Sequence, residues 1–433
     1  MLELDPELGP ESAFEALRRP GETALLFDGR GGHDGGWERR MALEPRVSLE
    51  VRSRSSDPLE VMRPLDDLVA RRRSAGGSGG TGVAVLCSYE AFAPRSRPSA
   101  NACEILAVEV DAAVLFPEGK PPVISGKSDT VERALRALAR RSLASVDPRP
   151  ALASGPPRTS LGREAYLRAV ARVKAHIARG DVYQANLTQR FDAAFAADPW
   201  DLYRAIAKAT PSPRSAYFET PGLALASVSP EMFVDVDRDG IAETRPIKGT
   251  RSRGASPLAD AQARTELLGS EKDRAELVMI VDVLRNDLGR IARTGSVAVP
   301  ELLALRSYAT VHHLVARIVA QLRPEVTPSA LVTAVFPGGS VTGAPKQRAI
   351  EILSEIEPCP RGLYTGSLFW FDDDGGMASS ILIRSAIVTA GRVHIGAGGG
   401  VVADSEPEAE WSEANAKARA LTRALGFDPE EVA

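Results

Sequence analysis

Asp181-Val182-Tyr183-Gln184-Ala185-Asn186-Leu187-Thr188-Gln189-Arg190-Phe191 alternates apolar side chains with amides and a hydroxyl. A period of two belongs to a β-strand, because successive side chains leave a pleated chain on opposite faces. Gln184, Asn186 and Thr188 then share one face, which reads equally as the polar wall of a cavity or as the wet side of a half-exposed antiparallel strand. Segments of the same kind recur at Leu223 to Val228, Met232 to Val236, Gly366 to Phe371 and Val393 to Val402. Few crossover helices separate some of them, and parallel neighbours need such crossovers. The expectation is an α+β fold on a large antiparallel sheet flanked by helices.

Upstream of this strand, Tyr166, Val170, Val173 and Ile177 recur at helical spacing between Arg163 and Arg179, and Gly180 stops the helix. Further back, Asp147 to Thr159 holds Pro148, Pro150, Pro156 and Pro157 with little periodicity, which reads as a linker. The chain therefore divides into an N-terminal subdomain, 1–155, and a second domain, 156–433. Short apolar runs in the first part, Val83-Ala84-Val85-Leu86 and Ile105 to Val110, predict strands.

Composition narrows the function. The 433 residues are 44% hydrophobic and 25% charged, enough apolar material for a large core. A formal charge of -4 gives no footprint for nucleic acid, and Arg71-Arg72-Arg73 is too short to supply one. Cys87, Cys103 and Cys359 are too scattered for a zinc site or a disulfide framework, so reduced thiols in the cytoplasm are expected. No apolar run reaches membrane-spanning length.

Several segments bear chemistry. In Glu243-Thr244-Arg245-Pro246-Ile247-Lys248-Gly249-Thr250, proline stiffens the approach to Lys248 and glycine leaves room beyond it. The run suits a placed nucleophile, whose neutral amine is the reactive form, and equally a solvated lysine on a turn. Between Ser270 and Ile291, Leu277, Val281, Leu284, Leu288 and Ile291 form an apolar stripe while Asp273 and Glu276 share another side. A second helix is expected to be capped by Ser405, with Glu408 completing a capping box and Pro407 in the first turn. It carries Glu410, Glu413 and Lys417 as one stripe. Each acid pair alone reads as solvated surface; if the helices converge, their carboxylates suit magnesium.

Gly396-Ala397-Gly398-Gly399-Gly400 follows a strand, and its amides could hold a carboxylate or a phosphate. Phe336 to Lys346 resembles a phosphate loop, but Ala344 stands where that loop needs lysine, which excludes an ATPase reading. Arg384, at the end of Ser380-Ile381-Leu382-Ile383, is costly unless a structural acid or a ligand carboxylate meets it. Tyr364 is a candidate hydroxyl partner in that clamp.

In this order the segments DVYQANLTQRF, SPEMF, ETRPIKGTR, AELVMIVDVLRNDLGRI, FPGGSVTGAPK, GLYTGS, ILIR and GAGGGVVADSEPEAEW, spread over Leu161 to Leu425, resemble the chorismate-utilising enzymes, and among them most closely the aminodeoxychorismate synthase component I group. The resemblance implies an anthranilate synthase component I-like α+β fold, a large antiparallel β-sandwich wrapped by helices, with the N-terminal portion joining the same sheet system. Anthranilate synthases, the alternative, usually carry alanine at the position of Lys248. Isochorismate and salicylate synthases place a water-activating lysine at the position of Gln184, so glutamine argues for ammonia as nucleophile.

By the same resemblance, Mg2+ would be held by Glu276 and Glu413 with Glu410 and Asp273. Gly249, Thr250, Gly398, Gly399 and Gly400 would hold substrate oxygens, with Gln184 in the substrate wall. Arg384 and Tyr364 would clamp the enolpyruvyl carboxylate, Glu231 would protonate the leaving hydroxyl, and His313 would lie near the substrate, whereas His312 reads as a packing residue. Lys248 would attack carbon 2 of chorismate, and ammonia from a glutamine amidotransferase subunit would displace it to give 4-amino-4-deoxychorismate for p-aminobenzoate and folate synthesis. A non-catalytic binder of chorismate or tryptophan is a further reading, one expected to have lost the acids or Lys248. Thr210 to Pro213 resembles a segment that contacts tryptophan in anthranilate synthases, though a plain turn fits it too.

Overall fold

The strand Gly82–Cys87 is buried along its whole length, so its two faces meet different neighbours. Val83, Val85 and Cys87 share a core with Met62 and Leu65 of the helix Pro58–Ala75 and with Leu277 and Ile280 of the helix Glu271–Gly289. Ala84 and Leu86, pointing the other way, share a core with Phe27, Phe218 and Leu225 of a different sheet. Helix, sheet and second sheet are thus stacked through the period-two geometry of one strand.

This computed structural model describes residues 1–29, 36–52, 57–77, 79–92, 104–140, 150, 152–308 and 311–432. Cys103 and part of the Pro-rich segment, 147–149 and 151, lie outside them. Among the described residues two sheets form, one of 12 strands and one of 10. Every pairing in them is antiparallel. A third layer closes the far side of the larger sheet, where Phe14, Leu202 and Leu421 come from the helices Pro10–Leu17, Pro199–Ala209 and Pro407–Ala424. The expected antiparallel sandwich wrapped by helices is the observed architecture.

The early part of the chain is woven into both sheets. Ala24–Phe27 pairs with Arg214–Thr220 in the larger one, and Gly82–Cys87 pairs with Ser367–Asp372 in the smaller. What is described of the Pro-rich segment is tied down: Ala153 N donates to the Leu425 carbonyl, Ser154 N to the Ala194 carbonyl, and Arg158–Thr159 adds to the edge of Gln184–Ala194.

Most expected strands and helices form, and two details differ. Met232 to Val236 is not a continuous strand: Met232 makes an isolated bridge to Ser380, and only Asp235–Val236 is in the ladder. Between them the Val234 amide is taken by the Ser379 hydroxyl at 3.0 Å, a side chain standing in for a strand partner. The helix Pro407–Ala424 is capped by Glu406 without a side-chain bond, not by Ser405. The Ser405 hydroxyl donates instead to Glu410 Oε1 at 2.6 Å.

Arg361 locks the site end of the sandwich. Its guanidinium donates to both oxygens of Glu357, to the Val341 carbonyl at 2.8 Å and to the Asn186 carbonyl at 2.7 Å, and it lies over the Tyr89 ring. Both members of the ion pair are buried. Breaking such a pair leaves a buried charge without its partner. Arg361→Met is therefore expected to cost about 3–5 kcal/mol, read as a lower midpoint in urea unfolding with an unchanged slope.

Candidate active site

Lys248 lies on the edge strand Ile247–Ser252, whose register against Val311–Gln321 slips between Lys248 and Thr250. Gly249 takes up the slip with φ of 69°, a left-handed conformation that favours glycine. A side chain there would also strike Leu267 Cδ1 at 2.7 Å and Asp273 Cγ at 2.9 Å. The bulge therefore needs glycine twice over, and it aims the neighbouring side chains differently. Lys248, with 15% of its side chain exposed, reaches toward Glu276 Oε2 at 3.8 Å. Thr250 Oγ1 meets His313 Nδ1 at 2.9 Å, and the same nitrogen lies 3.4 Å from the Gly249 carbonyl oxygen.

The two acid-bearing helices lie within charge range of each other. On Glu271–Gly289, Lys272 Nζ stands 4.0 Å from Glu276 Oε1, and its charge also acts on Glu410 and Glu413 of Pro407–Ala424. Burial pushes the Glu410 carboxyl up, and the charge of Glu413 adds to this, against the hydroxyl of Ser405. Burial also disfavours charge on Glu413, but the ammonium groups of Lys417, Lys272 and Lys248 outweigh it and hold that carboxyl below the ordinary range. Asp273 is committed elsewhere: its carboxylate pairs with Arg251 at 3.2 Å, and its amide donates to the Ser270 hydroxyl that caps the helix.

The glycine run does not follow a strand but lies within one, the strand expected from Val393 to Val402 and observed as Arg392–Val401. On one edge Gly398, Gly399 and Gly400 are in register with Thr188, Leu187 and Asn186. On the other edge pairing with Ser385–Thr389 stops at Ile395, so from Gly396 on no strand covers that edge among the described residues. Side chains occupy the space of the missing Cβ atoms. One at 396 would enter the Tyr364 ring, and one at 400 would fall 2.4 Å from Gln184 Nε2. At 399 a Cβ would lie 3.2 Å from Glu410 Oε2 and 3.5 Å from Glu413 Oε1. Glycine is what lets the acids approach the sheet.

Those contacts bear on a metal. Among the described residues no three His, Cys, Asp or Glu are gathered as a ready ligand set. The donor chemistry nonetheless suits a hard dication: Glu410 and Glu413 stand at the cradle of Gly399, and the charge of Lys272, which accompanies Glu276, reaches both. The ammonium groups of Lys272 and Lys417 now neutralise them.

Of the remaining candidates, Glu231 feels the charges of Lys248 and Lys417, Gln184 and Tyr364 flank the glycine strand, and Arg384 acts on His313. Glu231 is buried, its Oε1 accepts from Ser340 Oγ at 2.8 Å, and burial raises its carboxyl against the charges of Lys248 and Lys417. Arg384 has φ of 48°, and burial lowers its guanidinium from the usual arginine value. Among the described residues no carboxylate meets it. Burial likewise lowers His313, which feels the charge of Arg384, whereas His312 is enclosed and bonded to Asp260 and Ser307. Gln184 is fully buried, and neither atom of its amide finds a hydrogen-bond partner among the described residues. Tyr364 packs beside Arg361 and Glu357 with no hydrogen bond to Arg384.

A family model described as chorismate binding enzyme matches residues 24–423. The chain belongs to that family. It is 43% identical over 268 residues to aminodeoxychorismate synthase component 1 of Bacillus subtilis, covering 62% of this chain and 57% of that one. Over 263 residues it is 44% identical to anthranilate synthase component 1 of Geobacillus stearothermophilus, covering 61% and 52%. The chain thus spans little more than half the length of these curated relatives. The solved structure of anthranilate synthase component I from Streptococcus pneumoniae superposes with a TM-score of 0.73 at 25% identity, over 94% of this chain and 93% of that one. Among the described residues no helix is long and apolar enough to cross a membrane.

Ser340, Lys272 and the bond from Ser405 to Glu410 were missed from sequence. Lys272 sits one helical turn before Glu276, a spacing that could have flagged it. Ser340 is 109 residues from Glu231, and no local pattern connects them.

The raised Glu231 carboxyl gives a signed expectation. An acid whose folded pKa lies above its unfolded value of 4.5 destabilises the fold once ionised. Glu231→Gln should therefore raise the melting temperature at pH values above the folded pKa. The gain should shrink as pH falls through that value and vanish below 4.5, in melts followed from about pH 8 to about pH 4.

Proposed function

We propose that this chain is the chorismate-aminating component of an aminodeoxychorismate synthase, converting chorismate and ammonia to 4-amino-4-deoxychorismate and water through a lysine-bound intermediate. The observation that carries the reading is the placement of Lys248, mostly shielded from solvent and facing the acid-bearing helices. Arg384 supports it, since a half-buried guanidinium without an acid calls for an anionic ligand. The B. subtilis relative supports the choice of product.

In this reading Arg384 binds the enolpyruvyl carboxylate, and the Gly249 bulge, Thr250 and the open edge of the glycine strand hold the remaining substrate oxygens. Glu231, whose hold on a proton burial strengthens, gives its proton to the departing 4-hydroxyl. The Lys248 amine forms a bond to carbon 2 as that hydroxyl leaves with the proton. Ammonia then bonds to carbon 4, the ring double bond shifts back, and Lys248 departs with its electron pair. Glu276, Glu410 and Glu413 would hold Mg2+, with Asp273 a more distant acid; the ion supplies charge to neutralise the ring carboxylate. His313, neutral and fixed through Nδ1, would turn its other nitrogen to the substrate.

A glutamine amidotransferase partner would deliver the ammonia in a cytoplasmic enzyme of p-aminobenzoate and folate synthesis. The test is product analysis with chorismate, Mg2+ and ammonium at high pH. 4-Amino-4-deoxychorismate without pyruvate is expected; anthranilate with pyruvate would establish the anthranilate synthase reading instead. Lys248→Ala should remove most of the turnover, and Arg384→Gln should raise KM for chorismate by about ten- to a hundredfold, the worth of a charged hydrogen bond. Glutamine should serve only once the partner is added, and glutamine-dependent turnover by the lone chain would contradict the two-component arrangement.

A further inference from the structure

Two ammonium groups in the acid cluster have no part in the reaction as drawn. Lys417 Nζ lies 2.7 Å from Glu413 Oε1 and 3.0 Å from the Gly398 carbonyl oxygen, to which it donates. Lys272 Nζ stands 4.0 Å from Glu276 Oε1 and its charge reaches Glu410 and Glu413 on the facing helix. Each lysine is one helical turn from the acid it accompanies. Together they occupy, electrostatically, the place that a dication would take.

We propose that Lys272 and Lys417 are resident counter-cations of the metal site. Each steadies a carboxylate before the dication arrives, and each has to yield it on binding, so that the pair sets the metal affinity of the free protein. The inference rests on the metal reading above.

Three features favour exchange over permanent pairing. Lys272 is about half exposed, so its ammonium can return to water when Glu276 is taken. Lys417 has a second acceptor in Gly398 and keeps one bond when Glu413 is taken. That carbonyl belongs to the glycine strand, so a released Lys417 is already beside the edge where an anionic ligand would lie. Metal and a carboxylate-bearing substrate should therefore assist each other's binding, because the freed ammonium gains the anion that the metal brings in.

Binding of Mn2+ to the full chain, followed by electron paramagnetic resonance of the free ion, tests this without turnover. Lys272→Met and Lys417→Met keep the apolar stems and remove the charges; Lys208→Met, an exposed lysine on Pro199–Ala209, is the control. Each cluster variant should bind Mn2+ at least about tenfold more tightly than the parent, as expected for removing a like charge at this range, with the control unchanged. Chorismate should tighten Mn2+ binding to the parent by a larger factor than to Lys417→Met. Parent-like or weaker Mn2+ binding by both cluster variants would overturn the counter-cation role and leave the metal site standing. Failure of every form, parent included, to bind Mn2+ would overturn the metal reading itself. Since Lys272 is half exposed, its variant keeps the test decisive even if Lys417→Met does not fold.

Discussion

The structure depends on bringing like charges together partly out of water and balancing them. Glu276 comes from one helix and Glu410 and Glu413 from another, far apart in the chain, and three lysines lie among them. Neither set could be partly buried alone, because an uncompensated charge would neutralise or pull the helices apart. Interleaved, they form a cluster that persists, with Glu413 held ionised and Glu410 pushed toward its neutral form. The cluster is chemically useful because its charges are not finally committed. The 3.8 Å and 4.0 Å separations at Glu276 are longer than close hydrogen bonds.

The sheet makes room for that cluster by omission. The strand Arg392–Val401 has the ladder of an ordinary strand on one edge, yet its run of small residues leaves one face bare at Gly399, where Glu410 and Glu413 approach, and the other bare at Gly400, beside the Gln184 amide. The cost is a strand with little side-chain packing of its own. Long pairing with Gln184–Ala194 offsets it, and Arg361 ties that second strand to the Val341 carbonyl and to Glu357. The rigid frame is thus assembled around the positions that lack side chains.

What could be read from sequence follows from how local the signals are. The period-two runs and the stripe from Leu277 to Ile291 are set by backbone geometry, and they gave the sandwich and the acid-bearing helices. The order of the chemistry-bearing segments carried the family. Local patterns failed where a side chain had a distant partner. Ser405 has the spacing of a cap, yet it serves Glu410; Met232 to Val236 has the pattern of a strand, yet the Val234 amide is taken by the distant Ser379 hydroxyl. The share of Asp273 claimed by Arg251 could not be read either, since it depends on how the bulge at Gly249 turns the edge strand toward the helix.

Two groups outside the acid cluster are left unsatisfied. Arg384 has a left-handed backbone and no acid, and Gln184 has a buried amide with neither atom bonded among the described residues. Each carries a cost, on the order of 1–3 kcal/mol for an unmade hydrogen bond or a strained residue. A frame held by Arg361 and by two continuous sheets can sustain such costs. On the proposed reading, a ligand that offered a carboxylate to Arg384 and polar atoms to Gln184 would recover them on binding, and the free energy withheld from folding would become available for recognition.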